Sequence, residues 1–165
     1  MRVREIKIED AESLIYLIKE VEASSQFMMM DAGERKTTAD QMKKQIQRMK
    51  ETANSTIIVA EEDERLTGYL FAIGGSVNRT KHSAYIAVGI SEHHRGKGIG
   101  NALFLKAEEW ALNHGILRLE LTAVTQNEAG VALYKKRGFE IEGTKRKSLH
   151  INGEFFEEYY MSKLL

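Results

Sequence analysis

The stretch Arg95-Gly96-Lys97-Gly98-Ile99-Gly100 has the residue types and spacing best suited to chemistry in this chain. Glycines at 96, 98 and 100 let successive backbone N–H groups turn into one concavity, and a helix starting there adds the positive end of its dipole. Such a loop suits phosphate. Spacing separates it from two common phosphate binders. A P-loop needs Ser or Thr directly after Gly-Lys, whereas Lys97 is followed by Gly98 and Ile99. A dinucleotide fingerprint belongs after the first strand, but this loop lies past mid-chain, in a chain too short for that domain plus a catalytic one. Nucleotide hydrolysis and hydride transfer are both disfavoured. Taken alone, a glycine triplet is as often merely a tight turn, so its neighbours must decide. His82, His93, His94, His114 and His150 show no metal-ligand spacing, and no metal is assigned.

The elements around the loop follow from apolar periodicity. Val3, Ile6 and Ile8 among charged residues predict a first strand, and Asp10 is placed to cap a helix carrying Leu14, Ile15, Leu17, Ile18 and Val21. A polar, methionine-rich interval follows, and Thr38-Ala39-Asp40-Gln41 reads as a capping box opening a second helix that ends near Asn54. Thr56 to Ala60 and Leu66 to Ile73 read as two antiparallel strands joined by a short charged turn. The apolar run Ser83 to Ile90 predicts a central strand buried on both faces. After the glycine loop, Leu103, Phe104, Ala107, Trp110 and Ala111 repeat at helical spacing up to the stop signal Asn113-His114-Gly115. A strand over Leu117 to Val124 comes next, then a short helix over Asn127 to Arg137 halted by Gly138. Asn152-Gly153 predicts a type I′ hairpin between Thr144–Ile151 and Glu154–Leu165.

Composition narrows the classes. With 165 residues, 42% of them hydrophobic, the chain suits one mixed α/β domain over 1–165. No cysteine is present, which excludes disulfides, thiolate metal sites and a cysteine-bound acyl intermediate, and fits a cytoplasmic protein. Lys+Arg and Asp+Glu balance at 24 each, so no global positive field favours nucleic acid or an anionic membrane. No apolar run approaches membrane-spanning length.

Two ordered motifs carry a family resemblance. Arg95, Gly98 and Gly100 match the Arg/Gln-x-x-Gly-x-Gly/Ala loop, and the run from Asn127 through Ala129-Gly130-Val131-Ala132-Leu133-Tyr134 to Gly138-Phe139 resembles an Asn-x-x-Ala-x-x-Leu-Tyr-x-x-x-Gly-Phe helix. Both belong to the GNAT superfamily of acetyl-CoA-dependent N-acetyltransferases. The segment from Gly143-Thr144-Lys145 through Asn152-Gly153-Glu154 to Tyr159-Tyr160-Met161 is similar to the branch that includes bacterial L-amino-acid N-acetyltransferases. The resemblance implies a mostly antiparallel, twisted sheet of six to seven strands, splayed at its middle and flanked by about four helices. It also implies that acetyl-CoA contacts Val88, Gly89 and Ile90, the loop Arg95, Gly96, Lys97, Gly98, Ile99, Gly100 and Asn101, and Asn127.

The implied reaction makes its own demands. A free amine is mostly ammonium at neutral pH, so attack on a thioester needs a proton acceptor. Some relatives carry glutamate where this chain has Thr122, and others near Ala84, so Glu120, Glu22 and Glu34 become candidates alongside a water chain. Backbone N–H groups near Val88 to Ile90 would stabilise the carbonyl oxygen, and Tyr134 is the implied acid for the departing thiolate. Phe27, Met28, Glu34 and Arg35 are expected to line the acceptor pocket. The acceptor expected is the primary amine of a small metabolite such as an amino acid. A protein N-terminus or lysine, and a non-catalytic acyl-CoA sensor, are the alternatives, and the final hairpin is a candidate surface for homodimerisation.

Overall fold

In the computed structural model, which describes residues 1–165, the strands are β1 (Arg2–Glu5), β2 (Thr56–Glu62), β3 (Arg65–Gly74), β4 (Ser83–Ile90), β5 (Arg118–Val124), β6 (Glu140–Ile151) and β7 (Glu154–Leu164). The helices are α1 (Ala11–Ser24), α2 (Ala39–Glu51), α3 (Ile99–Asn113) and α4 (Glu128–Lys136), with short 3-10 turns at Ile8–Asp10 and Glu92–His94. The strands form one sheet in the order β1-β2-β3-β4-β5-β7-β6. Every neighbouring pair is antiparallel except β4 and β5. Strand number, helix number and pairing agree with the fold expected from the motifs.

Local chemistry accounts for the elements. Thr38 accepts from the Gln41 N–H while the Gln41 side chain accepts from the Thr38 N–H, so α2 opens on the expected capping box. Asn152 and Gly153 have φ values of 50° and 81°, as a type I′ turn requires, and they join β6 to β7. Three expectations need correction. The first strand ends at Glu5, because Ile8 begins a 3-10 turn, and Asp10 sits before α1 without capping it. Its carboxylate instead accepts from Arg4 at 2.7 and 3.0 Å and from the Lys7 N–H at 2.8 Å. Nor is β4 buried on both faces. Tyr85 and Ala87 are exposed, while Ala84 and Ile86 are buried.

That asymmetry reflects two cores, one on each face of the sheet. On one face α3 and α4 pack Leu103, Phe104, Trp110 and Val131 against Leu70, Ala84, Ile86, Leu119 and Leu121. On the other, α1 and α2 pack Leu14, Leu17, Ile18, Met42 and Ile46 against Ile57, Val59, Tyr69 and Phe71. Each fully buried Leu or Ile contributes about 2 kcal/mol relative to exposure. Helices α1 and α2 lie mainly over β2 and β3, with α1 reaching part of β4, and leave the rest of that face open around Tyr85 and Tyr160. No helix is long and apolar enough to cross a membrane.

Candidate active site

The sheet opens at its one parallel junction. Strands β4 and β5 pair over three positions, Ser83 with Arg118, Ala84 with Leu119 and Tyr85 with Glu120. β4 then continues along β3 to Ile90, and β5 along β7 to Val124, with no pairing between them. Beyond Tyr85, therefore, the β5-facing backbone groups of β4 have no ladder partner, and Val88, Gly89 and Ile90 border the wedge between the strands.

The glycine loop stands at the wide end of this wedge. Gly96 and Gly98 adopt φ values of 73° and 84°, and a Cβ on either would meet nothing within 4 Å, so the requirement there is conformational. Gly98 is the N-cap of α3 and offers no side-chain cap, so the first N–H groups of Ile99, Gly100 and Asn101 remain free for an anion. Gly100 serves packing instead: a Cβ there would lie 2.7 Å from Leu133 and 3.2 Å from Ile90. The Arg95 guanidinium turns away from the loop and donates to the Ile90 carbonyl at 3.3 Å and to Ser24 Oγ at 2.9 Å. Lys97 is exposed. Asn101 accepts from Arg137 at 3.3 Å, and Asn127 caps α4 by accepting from the Gly130 N–H at 3.1 Å.

Tyr134 projects from α4 beside the wedge, edge-on to Phe104 with ring centroids 5.7 Å apart, and its side chain packs against the α3 core. Burial, reinforced by Tyr85, pushes its phenol up to about 12, and no hydrogen bond within the chain contributes. Tyr85 Oη and Thr122 Oγ1 lie 2.9 Å apart across the fork. With Arg118, Glu120, Leu121, Glu142, Tyr160 and Met161 they line a cavity of about 470 Å³ on the open face. Glu120 thus faces away from Leu119 and Leu121, and it accepts from Arg118 Nε at 2.8 Å.

The segment between α1 and α2 brings only part of the expected acceptor set together. Arg35 forms three hydrogen bonds of 2.8–3.1 Å to Glu22, whose side chain is 3% exposed. This ion pair raises the Arg35 pKa above its ordinary value. Glu34 is exposed and accepts the Asp31 N–H at 3.1 Å, so it stands apart from that pair. Phe27 and Met28 are half-buried, with Met28 against the α1–α2 core. Two tyrosines escaped the sequence reading. Tyr85 lies in a run whose composition predicts burial on both faces, and Tyr69 in an apolar strand, although strict alternation on β4 sets Tyr85 on the face opposite Ala84 and Ile86. No group of three or more His, Asp or Glu side chains converges as a metal site.

Comparison with known proteins agrees with this architecture. The family model for the acetyltransferase (GNAT) family matches residues 21–139. The L-amino acid N-acetyltransferase AaaT of Escherichia coli (strain K12) is 32% identical over 108 residues, 65% of this chain and 67% of the relative. The L-2,4-diaminobutyric acid acetyltransferase of Nocardia farcinica (strain IFM 10152) is 32% identical over 91 residues, 52% of this chain and 46% of the relative. Among solved structures, a GNAT-family acetyltransferase from Streptococcus pneumoniae superposes with a TM-score of 0.96 at 28% identity, covering 99% of both chains. The chain therefore belongs to the GNAT family of acetyltransferases, enzymes that draw the acetyl group from acetyl-CoA.

Proposed function

We propose that this acetyl-CoA-dependent N-acetyltransferase acts on the primary amine of a small amino acid or a close analogue. The observation that carries the reading is the fork between β4 and β5, with a free helix N-terminus at its wide end and, at its apex, a cavity of about 470 Å³ that includes Arg118, Glu120 and Glu142. The two similar proteins named for amino-acid substrates favour the same class. The residues fit the donor: the positive φ values at Gly96 and Gly98 leave a cradle with no side chain in it, and the N–H groups of Ile99, Gly100 and Asn101 are free to meet a pyrophosphate. Val88, Gly89 and Ile90 would border the pantetheine arm, and Asn127 is fixed near it by capping α4. Arg95 and Lys97 contribute through the loop's backbone and charge.

When bound, the donor supplies an activated acetyl thioester. Unpaired N–H groups along β4 are placed to stabilise the carbonyl oxygen as the amine nitrogen bonds to carbon and the carbon–sulfur bond breaks. Glu120, beside the apex, is the carboxylate best placed to take the ammonium proton, directly or through water. Tyr134 remains protonated at neutral pH and donates an O–H···S hydrogen bond as charge reaches the sulfur. Met28, Phe27 and Arg35 bound the acceptor side, with Glu34 on its rim. The protein works as one domain in the cytoplasm without nucleic acid or membrane, and the β6–β7 hairpin is the surface offered to a second copy.

The test is thiol release from acetyl-CoA with amino acids, diamino acids, aminoglycosides and peptides. Turnover confined to peptides or protein lysines would replace the small-molecule reading. Tight acetyl-CoA binding without turnover would point to a sensor.

A further inference from the structure

Tyr69 has no part in the motifs, yet it stands where the acceptor must arrive. It pairs with Gly89 across β3 and β4, and a Cβ on Gly89 would lie 2.5 Å from its Cζ and Oη. The tip of the ring therefore rests on β4 just where that strand has parted from β5. Only glycine at 89 allows this approach. The ring belongs to the core under α1 and α2, whereas Tyr134 packs into the core under α3 and α4, so the two phenols reach the wedge from opposite faces of the sheet.

The Tyr69 environment is unusual for a structural tyrosine. The residue is 3% exposed, and buried phenols normally find a hydrogen-bond partner. None is found within the chain, and the oxygen is not completely enclosed. Behind it, the Glu22–Arg35 pair fastens the α1–α2 segment and acts on the same hydroxyl. Burial keeps the phenol neutral across the working range, able both to accept and to donate.

Resting on the reading of this site as an amine acetylation centre, the geometry points to Tyr69 as a substrate-contacting residue whose oxygen accepts a hydrogen bond from the incoming amine. That contact aims the nitrogen lone pair at the thioester carbon from the α1–α2 face, while sulfur departs towards Tyr134 on the other. Tyr69 takes no proton in this role. The ammonium proton goes to Glu120 or water, the freed nitrogen bonds to the acetyl carbon and gives up a second proton to the same acceptors as the C–S bond breaks, and the thiolate takes the Tyr134 proton, which solvent restores.

Tyr69→Phe keeps the ring on Gly89 and removes only an oxygen that holds nothing in the chain. The expected result is a fall in kcat/KM for the amine of about tenfold or more, with acetyl-CoA Kd and thermal midpoint unchanged. Wild-type kcat/KM in the variant overturns the assignment. So does a loss accompanied by an equal loss of acetyl-CoA affinity or by a lower thermal midpoint, which would make the hydroxyl structural. A second variant, Tyr85→Phe, breaks the neighbouring contact to Thr122; an amine defect in Tyr85→Phe alone would move the role to that residue. Absence of turnover by the wild-type protein with any small amine would instead remove the reading on which the inference rests.

Discussion

Gly98 carries the most exposed test of the donor loop. Its φ of 84° is one that an L side chain adopts only with strain, while the space around it is open. Gly98→Ala is expected to lose about 1–2 kcal/mol of stability from backbone strain and to weaken acetyl-CoA binding by disturbing the free N–H groups of α3. Calorimetric Kd values measure this, and unchanged affinity would separate the loop from the donor. Tyr134→Phe is expected to lower kcat by about 100-fold, within the span usual for general acids. Acetyl-CoA Kd and thermal midpoint should hold, because the hydroxyl has no partner in the chain. These two residues were legible in the sequence because short motifs carry them. Arg95 was legible only as a member of the loop; that its side chain reaches Ser24, 71 positions away, depends on packing that no local pattern encodes.

Elements with local signals were read well: the Thr38 capping box, the Asn152-Gly153 turn and the helix after Gly98 each rest on residues a few positions apart. β4 was read less well. Its apolar composition suggests burial on both sides, whereas α1 reaches only part of it and leaves Tyr85 and Ala87 open. The cap expected at Asp10 fails because Arg4 on β1 competes for its carboxylate and also binds Glu61 on β2. The Arg4 hydrogen bonds, more than its charge alone, hold the Asp10 pKa below the usual carboxylate value. A depressed folded-state pKa contributes stability that is fully present above the unfolded value near 4 and is lost as pH falls through the folded one. Asp10→Asn should therefore lower stability by about 1–2 kcal/mol at pH 7 and flatten the decline below about pH 4. Denaturant melts from pH 7 to pH 3 would show this, and parallel pH profiles for the two proteins would rule it out.

For the molecule as a whole, the decisive feature is the β4–β5 pairing that stops at one rung, Tyr85 opposite Glu120, and lets the two strands part beyond it. The site proposed at that opening draws on Glu22, Tyr69, Glu120 and Tyr134, which come from α1, β3, β5 and α4. The resemblance implied a splayed sheet, but the residues around the fork could be assembled only from long-range pairing. The proposed reaction is direct transfer of acetyl from acetyl-CoA to a small amine at this fork. Its most direct test is to incubate the protein with acetyl-CoA carrying a labelled acetyl group and an amino-acid mixture, and to follow thiol and labelled product together. One labelled N-acetyl amino acid should appear for each thiol released, with none of the label retained on the protein. Thiol release without an N-acetylated amine, or label lodged on the chain, would contradict it.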